Sequence, residues 1–325
     1  MNNFKYAQPT SVSEALGLLS SKWGETEILA GGTDLVTSLK QGLVEPKLLV
    51  SLKNVEGMSE ISERSDSLVI GAGTKLKDLV SNKKVTKNFP ALVTAATNIG
   101  SAQMLSQGSV GGELLQRPRC WYYRNGFGLL GTENGKSLIE GGENRYHAIF
   151  GNKGDAKFVS PSSLAPVLIA LGASVYIQRG SGDVQSGRLI TAAELFKTPG
   201  SDSEREFTIA PNEILHSIII PMTGKKNGLY EVRHRVGLDW PMVTAAVAFD
   251  EKGGKISNAT VVLGHVAPTP WVASKAASAL NGKSRDDAAK AAGEAAASGA
   301  TPLSQNAYKV QQVKVAVRRA IDAAS

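Results

Sequence analysis

Two stretches, ILAGGTDL (residues 28–35) and NIGSAQMLSQGSVGGELLQ (98–116), each set a glycine pair beside a hydroxyl residue and between apolar residues. Adjacent glycines can reach φ > 0 and let another group come close to the backbone. Successive amide N–H groups in such a turn form a concave nest for an anion, and a hydroxyl adds a donor. Taken singly, a glycine pair is more often an ordinary turn. Two in one chain could grip a pyrophosphate from both sides. That points to a dinucleotide ligand without naming it.

Other residues that could do chemistry give less. GTENGKS (131–137) is not a Walker phosphate loop, because the position five residues before Gly135 is Leu130. GAGTKL (71–76) lacks the spacing of the Rossmann fingerprint, so a Rossmann domain is not expected. His147, His216, His234 and His265 are far apart, form no metal-spaced pair and read as structural or surface residues, His216 on one face of a strand. There is no G-x-S-x-G nucleophile motif. Cys120 is the one cysteine, so neither an internal disulfide nor a cluster held by several thiolates can form within the chain. It suits a reducing compartment. With no side-chain acid–base engine, the chemistry is expected to reside in a bound cofactor.

Those loops need a scaffold. The 325 residues predict two or three domains. The chain is 42% hydrophobic and 20% charged, ordinary for a globular protein. Its net charge of +7 is scattered, with only short pairs such as Lys83-Lys84 and Arg318-Arg319. This argues against a nucleic-acid partner and for mild surface charge that favours an acidic partner or an anionic ligand. MNNFKYAQPTS lacks the pattern of a signal peptide, and APVLIALGASVYI is too short and interrupted to span a membrane.

SVSEALGLLSS reads as a helix with a serine cap, TEILAGG as a strand entering a glycine turn, and TDLVTSLKQG as a helix capped by Thr33 or Asp34 and stopped by Gly42. PKLLVSL and SLVIGAG read as strands. FPALVTAATNIGS and SSLAPVLIALG read as helices, and ASVYIQR and EILHSIIIP as strands. Residues 117–160 are rich in Gly, Asn and aromatics with little periodicity, as in a functional or partner-docking insertion. LYEVRHRV (229–236), MVTAAVAFD and ISNATVVLGHVA read as strands, and two Ala-rich helical segments follow, separated near SGATPLSQ.

In this order, ILAGGTDL, NIGSAQMLSQGSVGGELLQRPRCWYYR, NRYHAIFGN and VLGHVAPTPW resemble the FAD-binding (medium) subunit of molybdenum hydroxylases, the xanthine dehydrogenase, aldehyde oxidoreductase and carbon monoxide dehydrogenase type. The resemblance covers nearly the whole chain. It implies an α+β fold: a two-subdomain FAD-binding domain (PCMH or vanillyl-alcohol-oxidase-like), then a smaller α+β C-terminal domain like that of CO dehydrogenase flavoproteins. The implied boundaries are 1–56, 57–222 with an insertion at about 117–160, and 223–325. Ala30, Gly31, Gly32, Thr33, Asp34 and Leu35 match the first FAD loop, which puts Gly31 and Gly32 there for the FAD phosphates. Ser109, Val110, Gly111, Gly112 and Glu113 match the second, where the family more often has Thr first and Asn or Asp last. Gly100, Ser101 and Gln103 match the lead-in.

Three departures stand out. Some aldehyde oxidoreductase subunits carry a [4Fe–4S] cluster in the insertion on four cysteines. Cys120 matches the first and the rest of the insertion has none, so no iron–sulfur cluster is expected in this chain. Ser163 stands where many relatives have an Asp on the flavin side of the cofactor, and Glu231 where relatives often have Lys. The function implied is an electron-transfer oxidoreductase subunit. A molybdopterin-binding large subunit would oxidise substrate, a small [2Fe–2S] subunit would pass electrons to FAD, and NAD⁺, O₂ or another carrier would take them. A cytoplasmic location is implied, or periplasmic export with a signal-bearing partner. The rival readings are a stand-alone FAD reductase of the enolpyruvyl-glucosamine reductase type, for which no proton donor stands out, and a structural subunit with a vacant flavin site.

Overall fold

The computed structural model describes residues 1–181, 184–235 and 239–325. The chain starts with β1 (Lys5–Ala7), α1 (Val12–Gly17), β2 (Thr26–Leu29), α2 (Leu35–Lys40) and β3 (Leu48–Ser51). The strands form a parallel sheet in the order β1-β3-β2, with the helices as crossovers. Ser11 caps α1, its Oγ accepting from the Glu14 N–H at 3.2 Å, a bond that contributes about 1 kcal/mol in such positions. Gly42 follows α2 at φ +69°, where a β-carbon would be strained.

Next come β4 (Ile61–Glu63), β5 (Ser67–Gly71), α3 (Leu76–Ser81), α4 (Lys83–Asn88), α5 (Pro90–Thr97), α6 (Ala102–Gln107) and α7 (Val110–Leu114). The insertion holds only α8 (Trp121–Arg124) and a hairpin of β6 (Thr132–Glu133) and β7 (Lys136–Ser137). After it run α9 (Leu164–Ala170), β8 (Ser174–Ser181), β9 (Val184–Thr191) and β10 (Glu213–Pro221). An antiparallel sheet, β4-β5-β10-β8-β9, collects these strands. Ile214, Ile218 and Ile220 of β10 are fully buried in the core that α5 and α9 complete. His216 lies on β10 as expected, at a bulge between Leu215 and Ser217.

The last unit comprises β11 (Lys226–Val232), β12 (Val243–Lys252), β13 (Lys255–Gly264), β14 (Trp271–Val272), α10 (Ser274–Leu280), α11 (Arg285–Ala296) and α12 (Tyr308–Asp322). Its sheet runs β11-β12-β13-β14. Alternation along β12 divides its side chains between two cores. Val243, Ala245, Val247 and Phe249 join the core with the three helices, while Ala246 and Ala248 join the central core. The strand expected over 229–236 starts earlier, at Lys226, and ends at Val232; Val236 lies outside the described residues. The first Ala-rich segment is two helices, because Asn281 is extended and Gly282 takes φ +82°, a turn that no helix continues through.

The aperiodic insertion takes its shape from distant side chains. Ile149 and Phe150 are buried in the C-terminal core, and Phe150 stacks on Trp271 with centroids 5.2 Å apart. Asn306 Nδ2 donates to the carbonyls of Asn144 (3.3 Å) and His147 (3.1 Å). Lys309 Nζ donates to those of Tyr146, His147 and His265 at 2.9, 3.1 and 2.9 Å.

His265 has a left-handed backbone, φ +63°, held by its ring. Nε2 donates to the Pro161 carbonyl at 3.2 Å, which leaves Nδ1 to accept from the Thr244 hydroxyl at 2.9 Å. Burial drives its pKa down to about 3 and that of His147 to about 4, with the Lys309 charge adding to both. Both imidazoles are therefore neutral when folded, whereas the unfolded chain protonates them near 6.5. Their contribution is fully present above that pH and is lost as pH falls towards 4 and then 3. Urea stability should decline steadily on acidification below pH 6.5, and His265→Asn, which tolerates this φ, should flatten the decline. Equal slopes in variant and wild type would refute the assignment.

Candidate functional site

Between the end of β2, the start of α7 and the start of β10 lies a cleft with an empty volume, mouth included, of about 1270 Å³. Of the residues expected at the site, Ala30, Gly31, Gly32, Thr33, Asp34, Leu35, Ser109, Gly111 and Gly112 line it.

The two loops differ in what they offer. Among the described residues, no acceptor meets the backbone N–H groups of Gly31, Gly32, Thr33 and Asp34. Gly32 takes φ +74°, which turns the chain from β2 into α2. In the second loop the amides that follow Ser109 are spent within the fold. Val110 N–H goes to Thr74 O (2.9 Å), Gly111 N–H to Ala72 O (2.8 Å) and Gly112 N–H to Ser109 Oγ (3.2 Å). Of the second loop's amides only that of Ser109 is left without an acceptor among the described residues. The donors therefore come chiefly from the first loop, and the second closes the opposite wall. An added β-carbon on Gly112 would stand 3.9 Å from Ala30 Cβ, so the walls face each other closely.

The other glycines serve packing. A β-carbon on Gly31 would lie 2.1 Å from the Gln107 carbonyl oxygen, and one on Gly111 would lie 2.8 Å from Ala72 Cβ. Gly31 is thus required by the close pass of the segment ending α6, a reason separate from any phosphate.

Asp34 occupies the cap position of α2 but makes no side-chain capping bond. Its carboxylate accepts from the Arg117 N–H (2.8 Å), Arg124 Nη2 (2.9 Å) and Arg119 Nη1 (2.9 Å). The segment RPRCWYYR, at the head of the insertion, is therefore fastened to the first loop. Two cations line the cleft in ion pairs: Arg117 with Glu206 at 3.0 Å and Arg205 with Glu27 at 3.2 Å.

Six expected residues stand outside the cleft wall. Gly100 precedes α6; Ser101 caps that helix, accepting from the Met104 N–H at 3.3 Å; Gln103 is exposed on it. Val110 is buried in the core. Glu113 is buried behind the second loop, accepting from Ser162 Oγ (2.6 Å) and Ser163 N–H (2.6 Å). Burial raises its pKa to about 7, against those hydrogen bonds. Ser163 Oγ donates to Glu231 Oε1 at 3.0 Å, away from the cleft. Glu231 also pairs with Arg233 at 2.6 Å. The sequence reading did not find the apolar part of the cleft lining, which includes Trp23, Leu52, Met58, Phe207 and Ile209. These residues have no local signature that separates them from ordinary core.

Cys120 lies half-buried with Sγ 3.2 Å from His147 Nε2. Burial pushes the thiol pKa up, and the Arg124 charge is the smallest of the opposing effects. The neighbouring arginines do not activate it. Cys120→Ser should leave flavin content and stability nearly unchanged. Stoichiometric iron and acid-labile sulfide in the wild-type chain, lost in that variant, would overturn this. No group of three or more His, Cys, Asp or Glu side chains placed to hold a metal ion occurs among the described residues.

The arrangement of residues 2–223 matches a family described as the FAD binding domain in molybdopterin dehydrogenase, and residues 228–324 match the CO dehydrogenase flavoprotein C-terminal domain. The aldehyde oxidoreductase FAD-binding subunit of Escherichia coli is 27% identical over 97% of this chain and 96% of its own length. The nicotine 6-hydroxylase medium subunit of Paenarthrobacter nicotinovorans is 26% identical over 98% and 95%. A solved carbon monoxide dehydrogenase of Hydrogenophaga pseudoflava superposes with a TM-score of 0.76 at 25% identity, over 99% of this chain and 97% of that one.

Proposed function

The chain belongs to the family of FAD-binding domains of molybdopterin dehydrogenases, and from that premise we propose that it is the FAD-carrying electron-transfer subunit of a molybdenum hydroxylase complex. The observation that carries the reading is the row of unpaired amides from Gly31 to Asp34, opening on a cleft with two arginines. In this reading those amides bind the pyrophosphate, and Arg117 and Arg205 supply positive charge. Ser109 and Gly112 close the far wall, and the apolar lining residues give a ring a surface to pack on. When bound, FAD can take up electrons singly and deliver them in pairs. The residues supply binding, orientation and field. Behind the wall, Glu113 ties the second loop to Ser162 and Ser163, and Ser101 caps α6.

The proposed partners are a molybdopterin-binding large subunit and a [2Fe–2S] small subunit. NAD⁺, O₂ or another carrier is the final acceptor, and the complex is cytoplasmic. Among the described residues, no helix is long and apolar enough to cross a membrane. We read the chain as two FAD-binding subdomains, 1–56 and 57–222, and a C-terminal domain, 223–325.

The purified chain should carry about one non-covalent FAD with a visible flavin spectrum, since cofactor-binding domains of this kind hold the group by contacts alone. Acid precipitation should release it into the supernatant. A colourless chain that takes up no added FAD, or FMN in its place, would refute the reading. Co-purification with the two partner subunits tests the assembly.

A further inference from the structure

Glu113 directly follows Gly112, the cleft-wall glycine that faces Ala30. It is 7% exposed, and the donors that meet its carboxylate are neutral and unevenly shared. Oε1 accepts from the Ser163 N–H at 2.6 Å, Gln116 Nε2 at 3.2 Å and the Leu164 N–H at 3.4 Å. Oε2 meets the Ser162 hydroxyl at 2.6 Å. An N–H can only donate, so Oε1 has no room for a proton. A hydroxyl both donates and accepts, so Oε2 can carry a proton and give it to Ser162 Oγ. Gln116 itself lines the cleft, so one hydrogen bond joins this carboxylate to the surface that an anion would face.

The charged groups around Glu113 are engaged elsewhere. Arg119 feels its field but bonds to Asp34 and Gln116, each at 2.9 Å. On β11, Arg233 pairs with Glu231, and Glu231, reached through the Ser163 hydroxyl, repels Glu113. Lys75, beside Ser109, donates its Nζ to the Gln107 carbonyl at 2.8 Å. On β10, which packs against α7, Glu213 pairs with Arg188 and His216 lies edge-on to Tyr176. His265, beyond Pro161, is neutral, and α9 carries no titratable side chain.

We propose that FAD binding in the cleft is linked to proton uptake by Glu113, a positioning residue that holds the second loop as a carboxylate before binding and as a neutral acid after it. The proposal rests on the flavin reading above. A pyrophosphate brings two negative charges to the wall in front of a buried carboxylate, and like charge favours the neutral form. Burial has already lifted this group to about 7. The proton comes from water and settles on Oε2, where Ser162 Oγ accepts it, while Oε1 keeps its three N–H donors. Binding raises the pKa further. Affinity is therefore full below about pH 7 and falls as pH rises towards the higher value of the bound state.

Calorimetric titration of the full chain, freed of flavin, with FAD in buffers of unlike ionisation heat counts the protons, because the FAD phosphates do not titrate near neutrality. The wild type should take up about half a proton per FAD at about pH 8, and its affinity should fall about fivefold between about pH 7 and about pH 9. Glu113→Gln sets an amide N–H where the acid O–H would stand. It should take up no proton, give a flat pH profile and bind FAD about tenfold more tightly than the wild type at about pH 9. A residue that merely braces the loop would instead weaken binding at every pH when replaced. Urea curves check folding, and the shorter neutral variant Glu113→Asn makes the same test of proton uptake if the first does not fold. Uptake that persists in these variants would move the proton to Glu27, which lines the cleft and is also lifted to about 7 by burial, and would overturn the proposal. So would FAD binding to the wild type without proton uptake. A chain that binds no FAD at any pH would refute the flavin reading, and this linkage with it.

Discussion

Gly32→Val is expected to give a folded chain that holds flavin poorly. Gly32 sits at φ +74°, a conformation that costs a β-branched residue on the order of 1–3 kcal/mol. The steric part is small. The new β-carbon would come 3.2 Å from Val36 Cγ2 and 3.3 Å from Leu29 Cδ1, side-chain ends that can shift. The loop therefore relaxes by turning its peptides, which re-aims the amides of Gly31 to Asp34. Spent on ligand affinity, that strain weakens FAD binding by a factor of about 5–150. Flavin retained after dialysis measures the loss, with a urea curve as control. Wild-type affinity would mean that these amides are not the phosphate site. Gly31→Val and Gly111→Val should behave differently. Their β-carbons meet protein, the Gln107 carbonyl and Ala72, so flavin and stability should fall together.

That contrast shows how far the sequence could be read. The glycine clusters stood out because close approach needs glycine whatever approaches. Which group approaches was not legible, because Gln107 and Ala72 arrive from other elements. The caps tell the same story. Ser11 could be read because its partner, Glu14, is local. Asp34 looked like a second cap, but three arginines from the head of the insertion take its carboxylate. Strands such as β10 and β12 were legible from their apolar runs, and His265 read correctly as structural. The insertion had no periodicity to read, since its own backbone bonds close short irregular turns and the carbonyls of Asn144, Tyr146 and His147 bond to Asn306 and Lys309 from the far end of the chain.

Lys309→Met should produce the largest loss of stability. In the sequence this lysine looks like one more cation on an amphipathic helix, yet it is 1% exposed. Its ammonium joins two carbonyls of the insertion, at Tyr146 and His147, to the carbonyl of His265 beyond β13. Methionine fills similar space but donates nothing. The His147 carbonyl keeps Asn306 Nδ2 at 3.1 Å, so two carbonyls lose the bond that Lys309 gave them. Each buried polar group stripped of its partner costs about 1–3 kcal/mol, while the variant no longer has to bury an ammonium. A net loss of about 2–4 kcal/mol follows, a large part of the roughly 5–15 kcal/mol that holds a domain folded. The loss should be local in origin. The insertion's first turn stays fastened to Asp34 through Arg119 and Arg124, so flavin affinity should change little. Amides of residues 144–152, by contrast, should exchange faster, because the side that faces α12 has come loose. Urea unfolding and hydrogen exchange on the same variant separate the two effects. A midpoint equal to the wild type's would show that the ammonium contributes nothing beyond filling space. Lost flavin with unchanged exchange would mean that Lys309 acts on the cleft and not on the insertion.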